Sequence, residues 1–328
     1  MKILHIAADN GGSGFYRMFL PAQGLRWLGH DVALSGTAPS DWTKDIDVAI
    51  GARVAIPEAT KRWQQLKDQG ARLILDLDDD YWNLDPTNAK AYQFWTPDLL
   101  DSMVENMAVA DVVTVCSNEL VRRMQERTDT PVQLIPNFLP AQLMAQPRDY
   151  RKDKIRIGWA GSSSTVHELK IAARALRKMA DRPDVEIVTV GVPAPGVAKA
   201  GLRHKNVHTI PWVSEHSEYL SIVSTFDVWV APYRDISFNR AKFATKALES
   251  SMLGIPLIAS AITPYAEWIE DGHDGVLVRE EHQWWKLLRQ LVDDADMREE
   301  IGQNARVKAS EYVLQSGALQ WEGVCVSS

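Results

Sequence analysis

The stretch from Lys154 to Trp159, followed by Gly161-Ser162-Ser163-Ser164 and a helical pattern from Val166 to Met179, decides the fold. It repeats in mid-chain the order with which the chain opens: an apolar run at residues 2–8, a turn containing Gly11-Gly12-Ser13-Gly14, and a helical pattern from Phe15 to Leu28. A short run that is apolar throughout is what a strand buried on both faces requires. Glycines between such a strand and a helix let the backbone turn sharply and approach a ligand closely. Strand, small-residue loop and helix, met twice, predict two domains rather than one.

Both halves continue the alternation. In the first, strands are predicted at Asp31–Leu34, Asp47–Gly51, Ala71–Leu77, Val112–Cys116 and Val132–Ile135, with a helix from Pro57 to Gln69 and helical material up to Ala110. In the second, strands at Val185–Val190, Val207–Ile210, Val228–Ala231 and Ile255–Ser260 surround a helix from Asn239 to Leu253. Strand–helix alternation implies parallel sheets with right-handed crossovers. The expected architecture is α/β, two Rossmann-like doubly wound domains facing a cleft: residues 1–140, a linker at 141–153 containing Pro147, and residues 154–315.

Composition narrows the function classes. A chain of 328 residues exceeds the usual length of a single core, and 45% hydrophobic with 24% charged residues is ordinary for a globular protein. No apolar run reaches the roughly 18–20 residues of a membrane span, and the first strand is too short for a signal peptide. Cys116 and Cys325 lack metal-site spacing, which fits a reduced, cytoplasmic setting. A net charge of −7 speaks against bulk nucleic acid as a partner.

Anions collect where strand ends meet helix N-termini. Gly161, Ser162 and Ser163 form one such loop, although serines there also serve as plain helix caps. Gly12, Ser13 and Gly14 form another. The latter is not a dinucleotide fingerprint, because Arg17 stands at the third glycine position and no acidic residue closes Asp31–Leu34 to hold a ribose. On a continuous helix, Asn239, Lys242, Lys246 and Glu249 fall within roughly an 80° arc. Lysines in an early helical turn oppose the dipole unless an anion lies between them; a solvated helix face is the plainer reading. Asp76, Asp78, Asp79 and Asp80 follow one another at a strand end. They are assigned to acceptor hydroxyls, a base or helix capping in preference to a metal, so the metal set is left empty. His167, just after the Gly161 loop, is either a ligand contact or a surface residue.

At this point the residues resemble the GT-B glycosyltransferases of the retaining family 4 type. The resemblance rests on Gly11-Gly12-Ser13-Gly14-Phe15-Tyr16-Arg17, on Ile157-Gly158-Trp159-Ala160-Gly161-Ser162, on Phe238-Asn239-Arg240-Ala241-Lys242 through Lys246-Ala247-Leu248-Glu249, and on Gly254-Ile255-Pro256. It implies transfer of a sugar from a nucleoside diphosphate sugar to an acceptor hydroxyl, with retention, without metal and without a cofactor. It also implies that Glu249 holds the donor ribose and that Trp212 and Val213 contact the nucleobase. Asn239 would complete the donor set, and Lys242, Lys246 and Arg240 would stabilise the leaving diphosphate. Gly12, Ser13, Gly14, Arg17, Asp78 and Asp80 would line the acceptor side, and a final helix, residues 316–328, would return to the first domain. The first of the family's paired glutamates falls at Ala241. Two alternatives therefore stay open: a sugar-nucleotide epimerase or hydrolase using the same donor pocket, and a catalytically inert nucleotide-sugar-binding protein. The acceptor is not specified by the sequence.

Overall fold

The computed structural model describes residues 1–9, 11–35, 42 and 44–327. They form two compact units. Unit 1 comprises Met1–Pro140, Ala241–Phe243 and Tyr312–Ser328; unit 2 comprises Ala141–Arg240 and Ala244–Glu311. Each is a Rossmann-like domain built on a parallel sheet.

In unit 1 the strands are β1 (Lys2–Ile6), β2 (Asp31–Leu34), β3 (Val48–Ala52), β4 (Arg72–Leu77), β5 (Val112–Val115) and β6 (Val132–Leu134), in the order β2-β1-β3-β4-β5-β6. All five residues of β3 are buried, as expected for a strand covered by helices on both faces. Trp63 fills the core beside them, and its indole N–H donates to the Asn106 carbonyl at 3.1 Å. A tryptophan can be buried completely when its N–H finds such a partner. The helix Leu314–Val326 also belongs to this unit. Its Gly317 lies against Phe138, and the Val324 carbonyl accepts from Arg72 Nε at 3.0 Å.

Unit 2 contains β7 (Ile155–Ala160), β8 (Val185–Val190), β9 (Val207–Ile210), β10 (Val228–Ala231), β11 (Leu257–Ser260) and β12 (Val276–Val278), ordered β12-β11-β10-β7-β8-β9. Counted from β7, this is the strand order of a dinucleotide-binding fold. The connections reverse direction between β7 and β10, and ligands of such sheets bind at that reversal. In unit 1 the reversal falls between β1 and β3.

Residues 141–153 are not a free linker. They fold onto unit 2, where the buried Tyr150 donates its hydroxyl to the Gly254 carbonyl at 2.7 Å and accepts from Arg298 through its own carbonyl at 2.6 Å. Three predicted helices also differ in form. The turn Phe15–Phe19 is π-helical before α-helix Leu20–Trp27, and Val166–Leu169 is a 3-10 turn before Lys170–Ala180. The helix expected over 239–253 is two helices, Ser237–Arg240 and Thr245–Leu253. The break carries Ala241–Phe243 into the core of unit 1, where the Ala241 carbonyl accepts from Ser117 Oγ at 2.5 Å. Burying Ala241 and anchoring its carbonyl offsets the lost helical hydrogen bonds.

Candidate functional site

At the carboxyl ends of the unit 2 strands, five loops present the groups that matter. Gly161 leaves β7 with its N–H donating to the Val190 carbonyl at 3.0 Å. Ser162 N donates to Thr165 Oγ1 at 3.1 Å, and the Ser162 and Ser164 hydroxyls lie 2.6 Å apart, so this loop is a closed turn of hydroxyls. Gly191, after β8, has φ +98°, and a Cβ there would lie 2.2 Å from the Gly161 carbonyl oxygen. Only glycine lets the two loops approach so closely. Trp212, after β9, leaves more than half of its surface exposed, and Val213 follows it.

Lys246 sits in the first turn of helix Thr245–Leu253. Its Nζ donates to Tyr233 Oη at 2.6 Å and lies 5.0 Å from the centre of that ring. Tyr233 stacks on Tyr265. One turn further along, Glu249 is buried and accepts from Tyr219 Oη at 3.1 Å. Burial first, and then the Glu249 charge, push the Tyr219 hydroxyl well above its ordinary value, so it stays a donor. A lysine and an acceptor carboxylate thus share the start of a helix that follows β10, beside the reversal between β7 and β10. That combination suits an anion joined to a hydroxylated ring.

The second cluster lies in unit 1, at its own reversal. Asp9 accepts from Gly11 N at 3.0 Å and Gly14 N at 3.1 Å and pairs with Arg53. Arg53 has φ +51°, a left-handed conformation unusual for a side-chain-bearing residue, and its guanidinium also approaches Asp78 at 3.7 Å. Tyr81 donates to Asp78 at 2.5 Å, and Lys242 pairs with Asp79 at 2.8 Å. Burial alone would raise the Asp78 carboxyl. Arg53, with hydrogen bonds from Ser13 and Tyr81, outweighs burial and holds it below the usual carboxylate range. For Asp79 burial wins over Lys242, and with the neighbouring Asp78 charge it raises that carboxyl. Two adjacent aspartates therefore differ in their hold on a proton.

Several sequence-predicted residues are placed elsewhere. Arg17 is not an open acceptor contact: it is buried and donates to both Asp76 oxygens, at 2.6 and 3.0 Å, and to the Ile135 carbonyl at 2.6 Å. Asp80 is fully buried, pairs with Arg123 and accepts from Trp82 N at 3.2 Å, so it anchors the turn after β4. Asn239 is buried and donates to Glu168 Oε1 at 2.8 Å, while the exposed Arg240 forks onto Asp235 at 2.5 and 2.8 Å. With the helix broken, Asn239, Lys242, Lys246 and Glu249 do not form one stripe. Lys246 and Glu249 share a helix in unit 2; Lys242 belongs to unit 1. Gly12 carries φ +50°, as its tight turn requires. Arg53, Tyr81, Tyr219 and Tyr233 were not read from the sequence. No spacing rule marks a left-handed arginine or tyrosines contributed by three separate segments.

Residues 154–294 match the family model of glycosyl transferases group 1. Across its length the chain also superposes on solved glycosyltransferase structures. One is sucrose-phosphate synthase from Thermosynechococcus elongatus, with a TM-score of 0.71, 14% identity and coverage of 99% of this chain and 98% of that one. Another is HepE from Anabaena in complex with UDP and glucose, with a TM-score of 0.73, 15% identity and full coverage of both chains. Over residues 154–294 the chain is similar to glycosyl transferases group 1, and its fold is that of these solved structures. The matched residues include the unit 2 groups from Gly161 to Glu249. Among relatives by sequence, the D-inositol 3-phosphate glycosyltransferase of Paenarthrobacter aurescens is 30% identical over 186 residues, 52% of this chain and 43% of the relative. The chain spans about half or less of the length of the relatives it matches. Among the described residues no helix is long and apolar enough to cross a membrane.

Proposed function

We propose that this protein is a glycosyltransferase that moves a sugar from a nucleoside diphosphate sugar to an acceptor hydroxyl, with retention of anomeric configuration and without a metal ion. The observation that carries the reading is the presence of Lys246 and Glu249 on one short helix after β10, the strand that neighbours β7 at the reversal, with the Gly161 loop at the end of β7. Negative charge grows on the diphosphate as the glycosidic bond breaks, and donors fixed in advance at that point lower the barrier most. Lys246, the Ser163 N–H and the hydroxyls of Ser162 and Ser163 supply them. Glu249 accepts from the ribose hydroxyls, and Trp212 and Val213 flank the nucleobase.

On the acceptor side, Gly12, Ser13 and Gly14 shape the wall, Asp78 and Asp79 accept hydrogen bonds from the acceptor, and Lys242 fixes Asp79. The cation at Lys246 takes the place a metal would hold against the diphosphate. No side chain is assigned as a covalent nucleophile; the leaving phosphate assists the attacking hydroxyl. Two free, buried cysteines agree with a cytoplasmic setting.

The test is a transfer assay with UDP-, GDP- and ADP-sugars against hydroxylated acceptors in excess EDTA, with the product anomer read by proton NMR. Transfer should persist in EDTA and the product should keep the donor's anomeric configuration. Activity lost in EDTA and restored by Mg2+ or Mn2+, or an inverted product, contradicts the corresponding part of the proposal.

A further inference from the structure

Unit 2 carries a cavity on one face of its sheet. It has a volume of about 440 Å³ and lies between strands β7, β8 and β9 and the helix His216–Val223. Register explains its wall. Arg156 pairs with Glu186, Gly158 and His208 both pair with Val188, and Val190 pairs with Ile210, so these side chains share one sheet face. Over Gly158 that face is covered by Phe226, whose ring stands where a Cβ would go. Toward β9, Ile210 and Ile222 leave an apolar surface partly open beside the buried Val188.

The other end of the cavity is charged and unbalanced. Glu186 accepts from Arg156 Nε at 2.7 Å, lies 3.2 Å from Lys154 Nζ and has His208 Nε2 at 3.9 Å, so up to three cations share one carboxylate. Arg156 turns only its Nε to Glu186. Among the described residues its two Nη groups, the donors that fork onto carboxylates and sulfonates, have no partner. Arg156 is the second residue of β7, and Gly161 lies five residues further along, about 16 Å of extended strand. The Arg156 end of the cavity is therefore separate from the Gly161 loop, whereas Ile210, at its other end, directly precedes the Trp212 loop.

We propose that this cavity is a binding site for a small amphipathic anion, its apolar body on Val188, Ile210 and Ile222 and its carboxylate or sulfonate on the Arg156 fork beside His208. The volume is that of an ordinary small-molecule pocket, and one end of apolar wall with a few convergent polar groups is the usual construction of such sites. The apolar part supplies affinity, and the uncompensated cation fixes orientation.

Fluorescence titration of the full chain with anilinonaphthalene sulfonate, an anion on an apolar ring pair, tests this, with neutral N-phenylnaphthylamine as the uncharged counterpart. The sulfonate should bind saturably. Thr225→Trp, at an exposed rim position, should block both probes. Arg156→Gln should weaken the sulfonate about tenfold or more and leave the neutral probe unchanged. No saturable signal, or a signal that Thr225→Trp leaves intact, overturns the site. Equal weakening of both probes by Arg156→Gln in a variant that keeps its melting temperature overturns the anion. Should that variant melt early, the wild-type chain decides: the sulfonate must bind about tenfold tighter than the neutral probe.

Discussion

Lys246→Ala is expected to lower kcat about 100- to 1,000-fold, the usual cost of removing one preorganised donor to a transition-state oxyanion. The fold should survive. Lys246 is partly exposed, and its polar partner among the described residues, the Tyr233 hydroxyl, also has a hydrogen bond with the neighbouring Tyr265. Donor affinity should fall much less than kcat, because the charge that Lys246 meets is largest only when the glycosidic bond has broken. Steady-state kinetics with varied donor separates these terms. If kcat is within about threefold of wild type, Lys246 is a solvated lysine and the diphosphate lies elsewhere.

Arg17→Ala should do the opposite, collapsing stability before any kinetic effect can be read. The guanidinium is buried, donates to both Asp76 oxygens and to the Ile135 carbonyl, and stacks 5.2 Å from the Trp321 ring. Removing it leaves Asp76 as a buried charge with only Thr114 Oγ1, at 2.7 Å, to satisfy it. Breaking one side of a buried pair costs about 3–5 kcal/mol, which for a domain of this size lowers Tm by about 10 °C or more. Differential scanning calorimetry measures the shift directly. A variant with unchanged Tm and altered acceptor use would return Arg17 to the acceptor site.

The contrast between these residues shows what the sequence carried. Strand positions were legible because a parallel strand covered on both faces is apolar without alternation; β3, β7 and β8 lie where their apolar runs are. The loops were legible because glycine has few roles between strand and helix, as Gly12 and Gly161 illustrate. Which polar residue faces inward was not. Asp76, Asp78, Asp79 and Asp80 look alike in sequence, yet Arg17 and Arg123, remote in the chain, draw Asp76 and Asp80 into the interior and leave Asp78 and Asp79 only partly buried. The helix break at Ala241–Phe243 was equally hidden. Neither Gly nor Pro marks it, since its cause is tertiary: an alanine and its carbonyl received by unit 1. Periodicity assumes a continuous helix, so the four-residue polar stripe failed at that point, while Lys246 and Glu249, three residues apart on the intact segment, remained together.

Donor recognition is the central claim, and titration calorimetry of the wild-type chain and Glu249→Ala with UDP-, GDP- and ADP-sugars tests it most directly. Wild-type protein should bind at least one of these donors saturably. Glu249→Ala should weaken that binding about tenfold or more, because a charged acceptor to ribose hydroxyls contributes about 1.5–3 kcal/mol in ground and transition states alike. Binding by neither protein, or equal binding by both, would contradict the assignment of the Lys246–Glu249 helix as the donor site.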